Sequence, residues 1–112
     1  PILFIESGVI VLTAFISPYK QNRDNTRALF SNGDFIEIFV KCSISVCEDR
    51  VTKGMYQKAR ANKIKHFTGV SSPYEEPESP DLTINTDKEA LNESVEKKLC
   101  FLIRRRVITI EN

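Results

Sequence analysis

The sequence predicts an α/β fold, a parallel sheet with helices on its faces. Three observations carry that expectation. Gly8 to Phe15 is a nearly continuous apolar and β-branched run, the pattern of a strand buried on both faces, and Phe35 to Cys42 is a second β-rich run. Polar or amphipathic stretches separate them, giving strand, helix, strand, helix, basic segment, strand, helix. The 112 residues, 41% hydrophobic and 28% charged, suit one modest domain with one core.

Taken in order, Ile2 to Ile5 read as the last turns of a helix that Gly8 ends. Gly8 to Phe15 is the first expected strand. Ser17 before Pro18 reads as a helix N-cap followed by a proline at the first helical position. In the polar helix that follows, Ala28 and Leu29 are expected on the sheet, with Lys20, Arg23, Asp24 and Arg27 in water. Ser31-Asn32-Gly33-Asp34 is a turn, and Phe35 to Cys42 the second strand. Ser43 can cap a short helix carrying Ile44, Cys47 and Val51. Ser71 to Pro80, with three prolines and several glutamates, reads as an irregular exposed loop. Leu82 to Thr86 is a third strand. Thr86 or Asp87 can cap a final helix whose apolar stripe is Leu91, Val95, Leu99 and Leu102. Arg104 to Arg106 then suit the negative end of its dipole.

Charge and cysteine usage exclude several functions. Net charge is +1, so no global field draws in nucleic acid. One histidine and three cysteines without a CxxC pair offer no metal cluster, and the thiols fit a reducing compartment. The longest apolar run falls far short of the ~20 residues of a membrane span, and no secretory leader is expected at Pro1. The charge that matters is local. Lys53 to Val70 holds Lys53, Lys58, Arg60, Lys63 and Lys65 and no acidic residue, with Tyr56 and Phe67 set between glycines. That composition suits a flap over phosphate and a ring, since cations neutralise phosphoryl oxygens and aromatic faces stack on bases. Ligands of α/β sheets bind at the carboxyl ends of the strands, here Phe15 to Ser17, Cys42-Ser43 and Thr86-Asp87. A helix N-terminus at Ser17 would favour an anion.

Three separated stretches in the right order resemble the adenylyl-sulfate kinase family. They are Thr13-Ala14-Phe15-Ile16-Ser17-Pro18-Tyr19, then Lys53-Gly54-Met55-Tyr56 with Lys58 to Ala61, then Ile64-Lys65-His66-Phe67-Thr68-Gly69. The likeness takes in essentially the whole chain. It implies a P-loop-kinase-like parallel sheet and phosphoryl transfer from ATP, with Mg²⁺, to the 3′-hydroxyl of adenosine 5′-phosphosulfate (APS), giving PAPS, in a cytoplasmic enzyme of sulfate activation. By that resemblance Ile16 and Ser17 line the APS site. Phe67 stacks on its adenine, with His66 beside it. Arg50 and Lys53 reach phosphates from a flap of about residues 50–70. Thr86 to Ala90, including Asp87 and Glu89, lie near the ATP adenine.

Departures from the family pattern accompany the match. The 112 residues contain no GxxxxGK[ST] phosphate loop. The chain is therefore expected to be the C-terminal portion of such a kinase, one partial domain over 1–112 lacking the first strand, the catalytic base and the magnesium-holding hydroxyl. Val51 and Ser71 stand where the family usually has aspartate. Such a portion is expected to be inactive alone and to self-associate, as a homodimer or otherwise, or to be fused to ATP sulfurylase. The alternative is a non-catalytic PAPS-sensing domain like that of fungal ATP sulfurylase.

Overall fold

The computed structural model describes residues 2–50 and 73–110. The elements are α1 (Ile2–Glu6), α2 (Lys20–Arg27), β1 (Ile38–Lys41), α3 (Ile44–Arg50), β2 (Leu82–Asn85) and α4 (Leu91–Arg104). β1 and β2 pair in parallel with Ile38 opposite Leu82 and Lys41 opposite Asn85. Parallel partners demand a long crossover, and α3 opens it. α4 then packs back on β2.

Ile84, in the middle of β2, is the most enclosed side chain at 1% exposure, and Phe39 of β1 is also buried. Phe39 pairs with Thr83, so side-chain alternation puts Phe39 and Ile84 on opposite faces. Tyr74 stacks on Phe39, with centroids 6.3 Å apart and planes at 19°. The loop 73–80 is irregular, as its prolines require, but Tyr74, Pro77 and Pro80 are half-buried rather than exposed.

Both helix ends that matter are closed by the same device. At Gly8, φ is +88°, and Val9 N–H donates to Phe4 O (3.1 Å) while Gly8 N–H donates to Ile5 O (2.9 Å). Glycine adopts that left-handed geometry without a Cβ penalty, so Gly8 stops α1 where the sequence predicts. After α4, Arg106 takes φ +57°, and Val107 N–H reaches Leu102 O at 2.9 Å.

The run Gly8 to Phe15 is not a strand. Residues 9–19 form neither helix nor strand, and Leu12 and Phe15 are 86% and 82% exposed. A strand exists by hydrogen bonding to a neighbour. Among the described residues the sheet has two strands, and this segment is not one of them. Two further expectations change. Leu29 is exposed, not packed on the sheet, and α4 does not bury its leucine stripe. Leu91, Val95 and Leu99 are exposed, whereas Ser94 is buried and Lys98, Phe101 and Leu102 are half-buried.

Polar contacts do what the expected apolar faces do not. α2, KQNRDNTR, contains no apolar residue, and its arginines hold it to the sheet. Arg27 lies 4.9 Å over the Phe35 ring and pairs with Asp81 at 2.8 Å. Asp81 also accepts Glu37 N–H at 2.7 Å and Arg105 from beyond α4 at 3.3 Å. One carboxylate, 16% exposed, thus binds α2, β1 and the end of α4 to the start of β2.

Burial alone would raise the Asp81 carboxyl. The Glu37 N–H and the guanidiniums of Arg27 and Arg105 outweigh it and hold the group below its usual 3.8. A depressed carboxyl contributes stability that is present above its unfolded value and lost as pH falls through the folded one. The resistance of the wild type to urea unfolding is therefore expected to fall progressively below about pH 4. Asp81→Asn should be less stable near neutrality, and the gap between the two should close on acidification. A gap independent of pH from neutrality to pH 2 would contradict this account.

Candidate functional site

At the carboxyl ends of the two strands the structure joins two of the residues expected to meet nucleotide. Thr86 continues β2 by donating its N–H to Lys41 O at 2.9 Å. α3 starts just after β1, with Cys47 N–H bonded to Ser43 O at 3.0 Å, so Ser43 holds the capping position expected of it. One helix later, the Arg50 guanidinium returns to this corner. It donates to Thr86 O at 2.7 Å and to Thr86 Oγ1 at 3.3 Å, with Cys42 Sγ at 3.8 Å. The guanidinium is thereby aimed at the end of the sheet rather than free to rotate.

The Ser17 corner is built differently from the sequence expectation. Ser17 is not an N-cap. It takes φ +41°, and Tyr19 leads into α2 with no side-chain cap of its own. The cap comes from the distant loop, where Glu75 Oε1 accepts Lys20 N–H at 3.3 Å. Glu75 N–H in turn donates to Pro18 O at 2.8 Å. A carboxylate therefore already occupies the head of α2, where the dipole favours negative charge. Arg23 completes the corner, donating to Ser17 O at 2.6 Å and Glu75 O at 2.5 Å. Burial also pushes the neighbouring Tyr74 hydroxyl up, against the opposing charge of Arg23.

A chain of contacts joins this corner to the strand ends. Glu75 holds Pro18, its neighbour Glu76 lies 4.0 Å from Lys41 Nζ, and Lys41 O holds Thr86. Ile16 and Ser17 are both exposed there. Asp87 is exposed in the turn after β2. Glu89 is committed inward: Oε1 accepts Lys97 Nζ at 3.0 Å and Asn85 N–H at 3.3 Å, and Oε2 accepts Ser94 Oγ at 3.1 Å. The Lys97 bond is the main reason its carboxyl lies below the usual range, against some opposing desolvation. Ala90, not Thr86 or Asp87, holds the capping position of α4. Lys53, His66, Phe67 and the rest of the flap, with Val51 and Ser71, lie outside the described residues.

Arg23 and Glu75 escape a reading by motif. Arg23 is one of several charges in a polar helix, and its bond to Glu75 crosses 52 positions of sequence. A cleft of about 200 Å³ between α2 and the 77–79 loop is lined by Lys20, Arg23, Asp24, Arg27 and Glu37. Its cations are already paired, Lys20 with Asp24, Arg23 with Glu37 and Arg27 with Asp81. Among the described residues no three of His, Cys, Asp and Glu are grouped to hold a metal.

Comparison with known proteins decides the family. The adenylylsulphate kinase family profile matches residues 2–85. The chain belongs to the adenylyl-sulfate kinase family. It is 51% identical over 100 residues to a probable adenylyl-sulfate kinase of Halalkalibacterium halodurans, covering 89% of this chain and 50% of that protein. It is 52% identical over 103 residues to the adenylyl-sulfate kinase of Geotalea uraniireducens, covering 92% and 50%. The chain therefore spans about half the length of the curated adenylyl-sulfate kinases it matches. In three dimensions it superposes on the Mycobacterium tuberculosis APS kinase CysC, solved in complex with AMPPNP and APS, with TM-score 0.82 and 36% identity. That match covers 90% of this chain and 59% of the other. The fold is accordingly that of a P-loop kinase, α/β with a parallel sheet and flanking helices.

The inward commitment of Glu89 is testable without any substrate. Glu89→Ala should speed hydrogen exchange at the Asn85 amide and lower the melting temperature, because Asn85 N–H and Lys97 lose their acceptor. Asp87→Ala, two residues away and exposed, should change neither. Equal effects from both would show that Glu89 has no special part in anchoring α4.

Proposed function

We propose that the protein to which these residues belong is an adenylyl-sulfate kinase. It transfers the γ-phosphoryl group of ATP to the 3′-hydroxyl of adenosine 5′-phosphosulfate. The bond from phosphorus to the ADP oxygen breaks, a bond to the 3′-oxygen forms, and the hydroxyl proton departs. Family membership over residues 2–85 carries this reading. The placement of Ile16-Ser17 and of Arg50-Thr86 along one connected edge supports it. Such transfer is mainly positioning and charge neutralisation. On this reading Ile16, Ser17, Lys53, His66 and Phe67 receive adenylyl sulfate. Arg50, Lys53, Thr86 and Asp87 flank ATP, and Glu89 holds the turn that carries them. Magnesium would come with ATP and be held by residues outside this sequence. The thiols of Cys42, Cys47 and Cys100, none of them in a disulfide, suit a reducing, cytoplasmic setting.

The decisive experiment compares two lengths of chain. The full-length protein should convert ATP and adenylyl sulfate to PAPS and ADP. The 112-residue chain should release no product, since it has no phosphate loop to hold the β- and γ-phosphates. A full-length protein that binds PAPS in calorimetry yet makes none would replace this reading with a sensor. PAPS made by the 112 residues at the full-length rate would refute the division of labour.

Self-association of the isolated chain follows from its exposed apolar surface. Leu12, Phe15, Ile16, Leu91, Val95 and Leu99 all face water, and burial is worth about 25 cal/mol per Å². Light scattering of the 112 residues should show a dimer or larger species that dissociates on dilution. A stable monomer at micromolar concentration would count against it.

A further inference from the structure

Arg23 is the least expected feature of the corner. Its side chain is 9% exposed, although it sits in a helix with no apolar residue. A guanidinium taken out of water must be compensated. Here its ion-pair partner among the described residues, Glu37, is 3.7 Å from Nε, too long for a tight fork. The short bonds go to backbone carbonyls instead, Ser17 O from Nη1 and Glu75 O from Nη2. The Tyr74 ring lies 5.9 Å from the guanidinium carbon. One rigid fork therefore fixes two pieces of backbone relative to each other, which an arginine can do through its planar geometry and a lysine cannot.

The first of those pieces is under strain. Ser17 has φ +41°, a left-handed conformation that is unfavourable for a residue carrying a Cβ. It makes the chain turn abruptly from the exposed Ile16 into α2. Such a conformation persists only where the surroundings over-determine it. Arg23 on the Ser17 carbonyl and Glu75 on the Pro18 carbonyl are those surroundings.

We propose that Arg23 is a positioning residue for the adenylyl-sulfate subsite. By gripping Ser17 O and Glu75 O together, it presets the Ile16-Ser17 backbone that receives the substrate. The proposal rests on the kinase reading, and it separates from that reading in the laboratory. In the full-length protein, Arg23→Lys keeps the positive charge beside Glu37 but loses the fork. It should raise KM for adenylyl sulfate about tenfold while leaving KM for ATP and kcat within about twofold. Hydrogen exchange at the Glu75 and Lys20 amides should accelerate in the same variant. Arg23→Ala should do the same more severely, with a lower melting temperature.

Faster exchange with an unchanged KM for adenylyl sulfate would overturn the proposal, leaving Arg23 a structural tie. So would a fall in all kinetic constants that merely tracks the loss of folded protein. Unchanged exchange would overturn it as well, because the grip would not exist. A wild-type protein inert toward adenylyl sulfate would sink the kinase reading and the substrate-positioning role with it. Exchange at Glu75 and Lys20 would then still decide whether Arg23 holds the corner.

Discussion

Four residues of parallel pairing, Ile38–Lys41 against Leu82–Asn85, are the constraint on which the described structure depends. A parallel pair cannot close through a tight turn. Its connection must leave one end of the sheet and return to the other. Everything at the carboxyl ends follows from that geometry. α3 departs there, Thr86 extends the ladder there, and Arg50 comes back to bind Thr86 by backbone and side chain. The opposite end is closed by Asp81, which fixes the incoming β2 to Glu37, to Arg27 of α2 and to Arg105 just past α4. The pairing sets the position of the site, and Asp81 guards its register from behind.

Charged and polar groups carry an unusual share of the attachment. An exposed ion pair is worth little, and Lys20 with Asp24 is of that kind. Arg23 and Asp81 differ because they are largely enclosed and satisfied by several partners at once. Removing one partner of such a group strands the rest. Two apolar side chains, Phe39 and Ile84, are the buried hydrophobic residues among those described. The orientation of α2 is therefore set by hydrogen-bond direction more than by hydrophobic area. That suits a corner in which a backbone carbonyl has to point one way.

Particular residues show what was legible in the sequence. Gly8 was, because only a residue free of Cβ ends a helix there cheaply. β1 and β2 were, because β-branched runs bounded by turn residues have few alternatives, and Gly33 at φ +90° makes the turn that leads from α2 towards β1. Arg50 and Thr86 were named for the site through resemblance, and the fold brings them into contact. What the sequence hid depends on partners far along the chain. Ser17-Pro18 looks like a cap and first turn, yet the cap is Glu75. Hydropathy marks α4 as amphipathic but cannot say which side meets β2. The side that does is anchored by Glu89, Ser94 and Lys97, while Leu91, Val95 and Leu99 of the stripe face out and Leu102 is half-buried.

The misread strand and the misread cap have one cause. Gly8 to Phe15 carries the composition of a doubly buried strand, and that composition is a statement about neighbours on both sides. Among the described residues those neighbours are absent, and the segment forms no ladder. Its end, Ile16-Ser17, is nonetheless held, because Arg23 and Glu75 grip it from α2 and the 73–77 loop rather than from a sheet. The corner thus takes its geometry from polar ties to residues within the chain, independent of whatever pairs with the segment before it. A corner fixed in that way holds its shape through hydrogen-bond direction and needs no ladder partner of its own.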